Sequence, residues 1–281
     1  MYQIRNLILT VLFSAFCTFS FSQEIVAGTF NLRYLNTTDS GNLWTQRLPV
    51  VTGLIRFHQF DIFGTQEGVR AQLNDIKKSL PEYDFYGVGR DDGKEAGEHS
   101  AIFFRKDRFT VLKNGDFWLS ETPDQPSKGW DAVCCNRICS WVHVADKKTG
   151  KRFYFFSAHF DHQGKVARIE SSKLILQRIN ALAGNEPVVF VGDLNGDQKS
   201  EWYLNIERSE AFDDTFRQTP NPYAFNGTFN AYGKNIASTE IIDHIFVTKQ
   251  FIVKRWGILS DSYHGKFPSD HFPVLAEIEL K

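Results

Sequence analysis

Val188-Val189-Phe190-Val191-Gly192-Asp193-Leu194-Asn195 carries the reading of the fold. Four consecutive apolar residues, mostly β-branched, form a strand buried on both faces, and it runs straight into an acid and an amide. Asp193 and Asn195 are two residues apart, so in an extended segment their side chains point the same way. The pattern recurs along the chain. Ile25–Phe30 ends at Asn31, Asp61-Ile62-Phe63-Gly64-Thr65 leads to Glu67, and Phe153–Ala158 ends at His159. Ile241-Ile242 leads to Asp243, and Ser269-Asp270-His271 precedes the last strand. Asp and Asn often punctuate strand ends as turn formers, so one such residue means little. The repeated set points to strand ends converging on one cleft.

Working outward, strands are predicted at Ile25–Phe30, Ile62–Gly64, Ala101–Arg105, Ile138–Val144, Phe153–Ala158, Val188–Gly192, Ile241–Val247 and Val274–Leu280. Helical patterns cover Pro49–Phe57, Val69–Leu80 and Lys165–Leu182. Loops fall at Asn36–Asn42, Arg90–His99, Ser120–Cys135 and Thr219–Lys234. Several consecutive strands are joined by segments too short for a helical crossover, which predicts a mixed or antiparallel β core faced by helices. No repeat or linker divides the chain, so residues 23–281 are read as a single domain.

The composition, 42% hydrophobic and 23% charged over 281 residues, excludes a disordered or fibrous protein. A net charge of −1 supplies no large basic field for gripping long nucleic acid. Residues 1–22 read as a secretory signal: Arg5 is the positive start, Leu7–Phe16 the apolar run, and Ser20-Phe21-Ser22 the cleavage region. The apolar run is too short for a membrane anchor, so export to the periplasm or the outside is expected, without an integral membrane span. Phe16 is a poor residue before a lipid-attachment cysteine, which disfavours anchoring through Cys17. Cys134, Cys135 and Cys139 remain in the mature chain; a Cys135–Cys139 bridge and buried free thiols are both open.

Glu67 and Asp270, with the Asn31 amide oxygen, form a hard oxygen-donor set suited to a small divalent cation. Asp193 is placed to take a proton from water, with Asn195 orienting that water or a phosphate oxygen. His159 and His271 each need an orienting acid to act near phosphate, and Glu98 and Asp243 are the respective candidates.

Thr29-Phe30-Asn31-Leu32-Arg33, Thr65-Gln66-Glu67, Ser157-Ala158-His159, Gly192-Asp193-Leu194-Asn195, Ile242-Asp243-His244-Ile245-Phe246 and Ser269-Asp270-His271-Phe272-Pro273 stand in a telling order. In that order they resemble the endonuclease/exonuclease/phosphatase family, from Ile25 to Leu280. The resemblance implies a four-layered α/β sandwich with two central, mostly antiparallel or mixed sheets. It implies Glu67 as the principal Mg2+ ligand (Mn2+ or Ca2+ being substitutes), supported by Asn31 and Asp270. It likewise implies Asp193 as the water-activating residue, Asn195 as its phosphate-orienting neighbour, His271 paired with Asp243, and His159 paired with Glu98. Trp44-Thr45-Gln46-Arg47, Phe117–Pro123 and His159–Gly164 resemble a secreted bacterial subgroup. Arg137, Arg90 and Arg168 are candidate phosphate contacts, because a guanidinium fork matches phosphate oxygens.

The expected function is metal-dependent hydrolysis of a phosphoester by in-line attack of activated water. A phosphodiesterase is favoured, acting on a small ester, a lipid headgroup or nucleic acid. The alternatives are a secreted nuclease cleaving DNA or RNA and a noncatalytic binding protein on the same scaffold. A monomer is expected.

Overall fold

In the computed structural model, residues 24–281 are described; the expected signal segment and Cys17 lie outside them. Two six-stranded sheets form the centre. The first runs, edge to edge, Phe251–Ile258, Val274–Leu280, Ile25–Asn31, Ile62–Gln66, Ile102–Arg105 and Tyr83–Tyr86. The second runs Asp213–Asp214, Asp243–Val247, Val188–Asp193, Arg152–His159, Ile138–Asp146 and Phe109–Trp118. Each sheet has one parallel pair, Ile25–Asn31 with Ile62–Gln66 and Arg152–His159 with Val188–Asp193; its other pairs are antiparallel.

Side-chain alternation divides the core into three apolar layers. Ile25, Ala27 and Ile62 of the first sheet meet Val142, Phe153, Val189 and Val191 of the second between the sheets. The opposite faces take the helices. Phe30, Phe63 and Phe103 pack against Trp44–Phe57 and Arg70–Ser79, while Phe156 and Phe190 pack against Lys165–Ala183 and Glu201–Glu207. The result is the expected four-layered α/β sandwich. The Val188–Val191 run is continuous rather than alternating because both its faces are covered.

The same period of two carries the function. Ala27, Thr29 and Asn31 share a face, as do Val189, Val191 and Asp193; Phe153, Phe155 and Ser157 share theirs with His159, and Ile245 shares its face with Asp243. All these faces look into the seam between the sheets. Moving along the seam, the apolar layer gives way to buried Thr29, Gln66 and Ser157, joined by a Thr29 Oγ1–Gln66 Oε1 bond of 3.2 Å and a Gln66 Nε2–Ser157 Oγ bond of 3.3 Å. Beyond this polar belt stand Asn31, His159, Asp193 and Asp243.

The eight strands read from sequence are the eight interior ones. The four edge strands, among them Phe109–Trp118 and Phe251–Ile258, were not anticipated. Their exposed stretches, such as Lys113-Asn114 and Lys254-Arg255, dilute the apolar signal, as edges exposed to water require. The first helix starts at Trp44 rather than Pro49; Gln46 caps the Leu43 N–H at 3.2 Å, and the proline is accommodated inside. Arg47 of this helix is buried, donating to the carbonyls of Leu32 and Pro268 at 2.8 and 2.9 Å, and so ties the Asn31 strand to the segment before Asp270.

Gly64 lies where the two sheets approach closely: a Cβ there would stand 2.5 Å from both Ser157 Oγ and Val191 Cγ2. Gly64→Ala is therefore expected to destabilise the protein by about 1–3 kcal/mol through overpacking. Equilibrium urea unfolding checks this, and an unchanged midpoint would contradict the close approach.

Candidate active site

The strand ends open into a pocket of about 420 Å³ lined by Glu67, Arg90, Glu98, Arg137, His159, His162, Asp193, Asn195, Asp270 and His271, among others. A larger cavity, about 800 Å³, opens at the opposite end of the same strands around Val188 and Leu280. It gathers no comparable set of carboxylates and imidazoles, so chemistry rather than size locates the site.

Asp193 is the centre. Its strand neighbours in register are His159 on one side and Asp243 on the other. Oδ2 accepts from Asn31 Nδ2 across the sheet seam at 3.0 Å, and Oδ1 accepts the Asn195 N–H at 2.9 Å. Burial, reinforced by the Asp243 charge, pushes the Asp193 carboxyl up to about 7. Asn195 departs from the expected extended geometry. Its φ of 47° turns the chain back, and its amide nitrogen reaches the Phe160 carbonyl at 3.0 Å and His159 Nε2 at 3.2 Å.

The two histidines flank Asp193, with His159 Nε2 at 3.6 Å and His271 Nε2 at 3.8 Å from Oδ2. His271 Nδ1 lies 2.9 Å from Asp243 Oδ2, the expected pair. Burial works against its charge, but Asp243, joined by Asp193 and Asp270, holds the imidazolium well above its ordinary range. His159 differs. Burial, with Arg137 and Arg90 nearby, keeps it neutral, and its Nδ1 is buried without a partner.

The expected His159–Glu98 pair is thus corrected. Glu98 forms a two-pronged ion pair with Arg90, at 2.6 and 3.0 Å, and two opposite charges held in one plane leave no carboxylate for the imidazole. Arg90 and Arg137 both line the pocket, but Arg168 does not. Arg168 stacks over Trp202 at 4.4 Å and donates to the Asp161 carbonyl, a structural use of its guanidinium.

Arg137 is the informative cation. Its Nε lies 3.4 Å from Asp161 Oδ2 and its Nη2 2.7 Å from His162 Nδ1, whereas Nη1 is buried without a partner. Arg137 lines the pocket, and its unpaired guanidinium N–H, like Arg90 Nε, is a donor that an anion can satisfy.

Glu67 has a left-handed φ of 62°, which swings its carboxylate off the strand line toward Asn31 Nδ2 at 3.0 Å and the Tyr34 N–H at 3.0 Å. The Asn31 amide oxygen, expected on a cation, accepts the Arg33 N–H at 3.0 Å and keeps a second lone pair, while its nitrogen braces Glu67 and Asp193. Burial raises the Asp270 carboxyl, and the Glu67 charge adds to the rise despite nearby His271. A buried carboxyl raised in part by the charge of a second carboxylate suits a divalent cation, which would relieve that repulsion. Asp193, Asp243 and His271 also offer atoms within 4.8 Å of one another, but there Asp243 already holds the His271 proton.

Arg33, Tyr34 and His162 join the pocket unpredicted. Arg33 Nε sits 3.7 Å from Asp270 Oδ2 while bonding Asp39 at 3.0 Å. The signal for Arg33 and His162 was their place within the motifs around Asn31 and His159; only the folded chain turned them inward.

Because Asp243 raises the His271 imidazole, hydrolysis that needs the imidazolium is present at low pH and lost as pH rises through the folded value. Asp243→Asn is expected to move the alkaline limb of the pH–rate profile to lower pH. An alkaline limb that stays in place would remove His271 from the acid role.

The comparisons with known proteins agree with this geometry. The model of the Endonuclease/Exonuclease/phosphatase family matches residues 28–271. A family protein of Bacteroides thetaiotaomicron superposes with a TM-score of 0.90 at 47% identity, covering 92% of this chain and 96% of that one. A mannosyl-6-phosphatase of the same organism superposes with a TM-score of 0.88 at 48% identity, over 90% of this chain and 99% of that one. An uncharacterized protein of Acanthamoeba polyphaga mimivirus is 26% identical over 256 residues, 84% of this chain and 92% of its own length. The chain belongs to the endonuclease/exonuclease/phosphatase family and is a phosphoester hydrolase.

Proposed function

We propose that the protein is an exported, divalent-cation-dependent phosphatase of small phosphorylated sugars, with residues 23–281 as one catalytic domain. The single observation carrying this reading is that Arg137, whose Nη1 has no partner, lines the same pocket as Asp193 and His271. A monoester phosphate presents up to two negative charges and three terminal oxygens. It suits a pocket with guanidinium on one side and an imidazolium on the other better than a singly charged diester does. The similarity to a mannosyl-6-phosphatase supports the sugar. Phosphodiester cleavage, favoured from sequence, becomes the second reading.

Glu67 and Asp270 would hold the cation, Mg2+ by preference with Mn2+ or Ca2+ as substitutes, while Asn31 fixes Glu67. Once bound, such an ion neutralises charge developing on the phosphate and the leaving oxygen. Asp193, its proton affinity raised by burial and the Asp243 charge, accepts a proton from the attacking water, whose place is set by Asn195. His271 donates from Nε2 to a phosphate oxygen, with Asp243 holding the ring. Neutral His159 is a hydrogen-bonding wall rather than a second charge. Arg137 Nη1 binds a further phosphate oxygen, and Arg90 is kept in line by Glu98.

The Cys134–Cys135 disulfide supports export, since such bonds persist in oxidising compartments. A mature N-terminus at Gln23, read by sequencing the exported protein, is the expected outcome; a retained leader would count against it.

A chelator-controlled screen should find phosphate release from mannose 6-phosphate and p-nitrophenyl phosphate exceeding cleavage of bis(p-nitrophenyl) phosphate, DNA or RNA. Asp193→Ala should lower kcat about 10²–10⁴-fold. Preferential turnover of the diesters would establish the second reading instead. A purified Asp193→Ala variant of near-normal activity would refute the water-activating role.

A further inference from the structure

Cys134 and Cys135, adjacent in sequence, are joined to each other, while Cys139 is a buried free thiol. This differs from the open alternatives read from sequence, and it rules out a Cys135–Cys139 bridge. A disulfide stabilises chiefly by closing a loop of the unfolded chain. A bridge between neighbours closes almost none, so its effect is confined to where it sits.

Its surroundings are the wall that holds Arg137. Cys134 Sγ lies within 4.8 Å of the ligand atoms of Asp161 and His162. These two residues engage the Arg137 guanidinium at 3.4 and 2.7 Å. Cys135 itself lines the pocket. On either side the loop is pinned. Asp131 accepts the Val166 and Ala167 N–H groups at 3.0 and 2.7 Å, and Asn136 Nδ2 donates to the Arg90 carbonyl at 3.2 Å. The Arg137 carbonyl accepts the Leu119 N–H at 2.8 Å. Between those anchors the covalent ring restricts residues 134 and 135, and Cys134 is exposed to solvent.

We infer that the Cys134–Cys135 disulfide is a positioning element for Arg137 and His162, so that its reduction weakens phosphate binding while leaving the hydrolytic groups intact. The inference rests on the phosphatase reading for its substrate. In the reductive step a dithiol supplies two electrons and two protons. The Sγ–Sγ bond breaks, Cys134 and Cys135 become thiols, and the dithiol closes to its own disulfide. The freed loop lets Asp161 and His162 relax, and the Arg137 guanidinium, which lines the pocket, loses the two contacts that fix it. Asp193, Asp243 and His271 stand on strands of the second sheet or beside its seam, untouched by the change.

The test uses the full-length, Mg2+-loaded protein, oxidised or treated with dithiothreitol. The tryptic peptide Gly129–Arg137 reports the state, being two hydrogens lighter when bridged. Reduction should raise KM for mannose 6-phosphate about tenfold with kcat changed less than about twofold, a loss of binding rather than of chemistry. Calorimetry should show inorganic phosphate binding about tenfold more weakly to the reduced protein, in line with the KM change. The Cys134→Ser/Cys135→Ser variant should behave as the reduced protein and ignore reductant, whereas Cys139→Ala should keep the response. Arg137→Gln should raise KM in the oxidised protein and abolish the effect of reduction.

Unchanged phosphate affinity on confirmed reduction, or equal losses in kcat and kcat/KM, would overturn the inference, as would oxidised protein that binds no phosphate. Oxidised protein that binds phosphate yet hydrolyses no monoester would defeat the phosphatase reading alone, and the affinity ratio would still decide the disulfide's role.

Discussion

The hydrogen bond from Asn31 Nδ2 to Asp193 Oδ2, 3.0 Å long and buried, is the constraint on which the site depends. It crosses the seam between two sheets, where a carboxylate removed from water would otherwise be a heavy burden on folding. Asp193 is tolerated because Asn31 and the Asn195 N–H satisfy its oxygens and His271 faces it with opposite charge. The remaining electrostatic penalty appears as a carboxyl raised to about 7 by burial and the Asp243 charge. The fold and the chemistry thus meet in one contact: the sheets must be in register for Asn31 to reach, and that register centres the carboxylate in the pocket.

Two histidines at similar distances from Asp193 are shifted in opposite directions, His159 downward by burial and the nearby arginines, and His271 upward by its carboxylate neighbours. Asp243 stands beside His271 and keeps it charged, whereas His159 faces Arg137 and Arg90 with no carboxylate of its own. Glu98, which would have made the site symmetric, is taken by Arg90. The pocket consequently has a carboxylate–imidazole pole around Asp193, Asp243, His271, Glu67 and Asp270, the hydrolytic pole of the proposed reaction, and a guanidinium pole around Arg90 and Arg137. The hydrolytic pole stands largely on strands or their immediate ends, where side-chain packing gives precision. Arg137 marks the join between the poles, since it immediately precedes the Ile138–Asp146 strand while its partners Asp161 and His162 lie in a loop.

That division bears on what such a scaffold can vary. Interior strands and their inward-facing ends are bound by three apolar layers, so alteration there disturbs the fold. The loops of the guanidinium pole bind through a few side-chain contacts and one local covalent ring, and they can be retuned at little structural expense.

Sequence by itself determined the interior of the protein. Runs buried on both faces, such as Val188–Val191, leave no polar position to confuse the reading, and the polar residues ending them stand out against it. The recurrence of Asn31, His159, Asp193 and Asp243 at strand ends then pointed to one cleft. The edge strands escaped, because one side of each meets water and tolerates Lys, Asn and Arg. Only the tertiary structure decided the partners: Glu98 with Arg90, Asn31 bracing through its nitrogen, Arg168 over Trp202, and Cys134 with Cys135. Pairing depends on which groups lie within a few ångströms after folding, and the energy of an ion pair or hydrogen bond falls away within that distance, whereas hydrophobic periodicity is local and written along the chain.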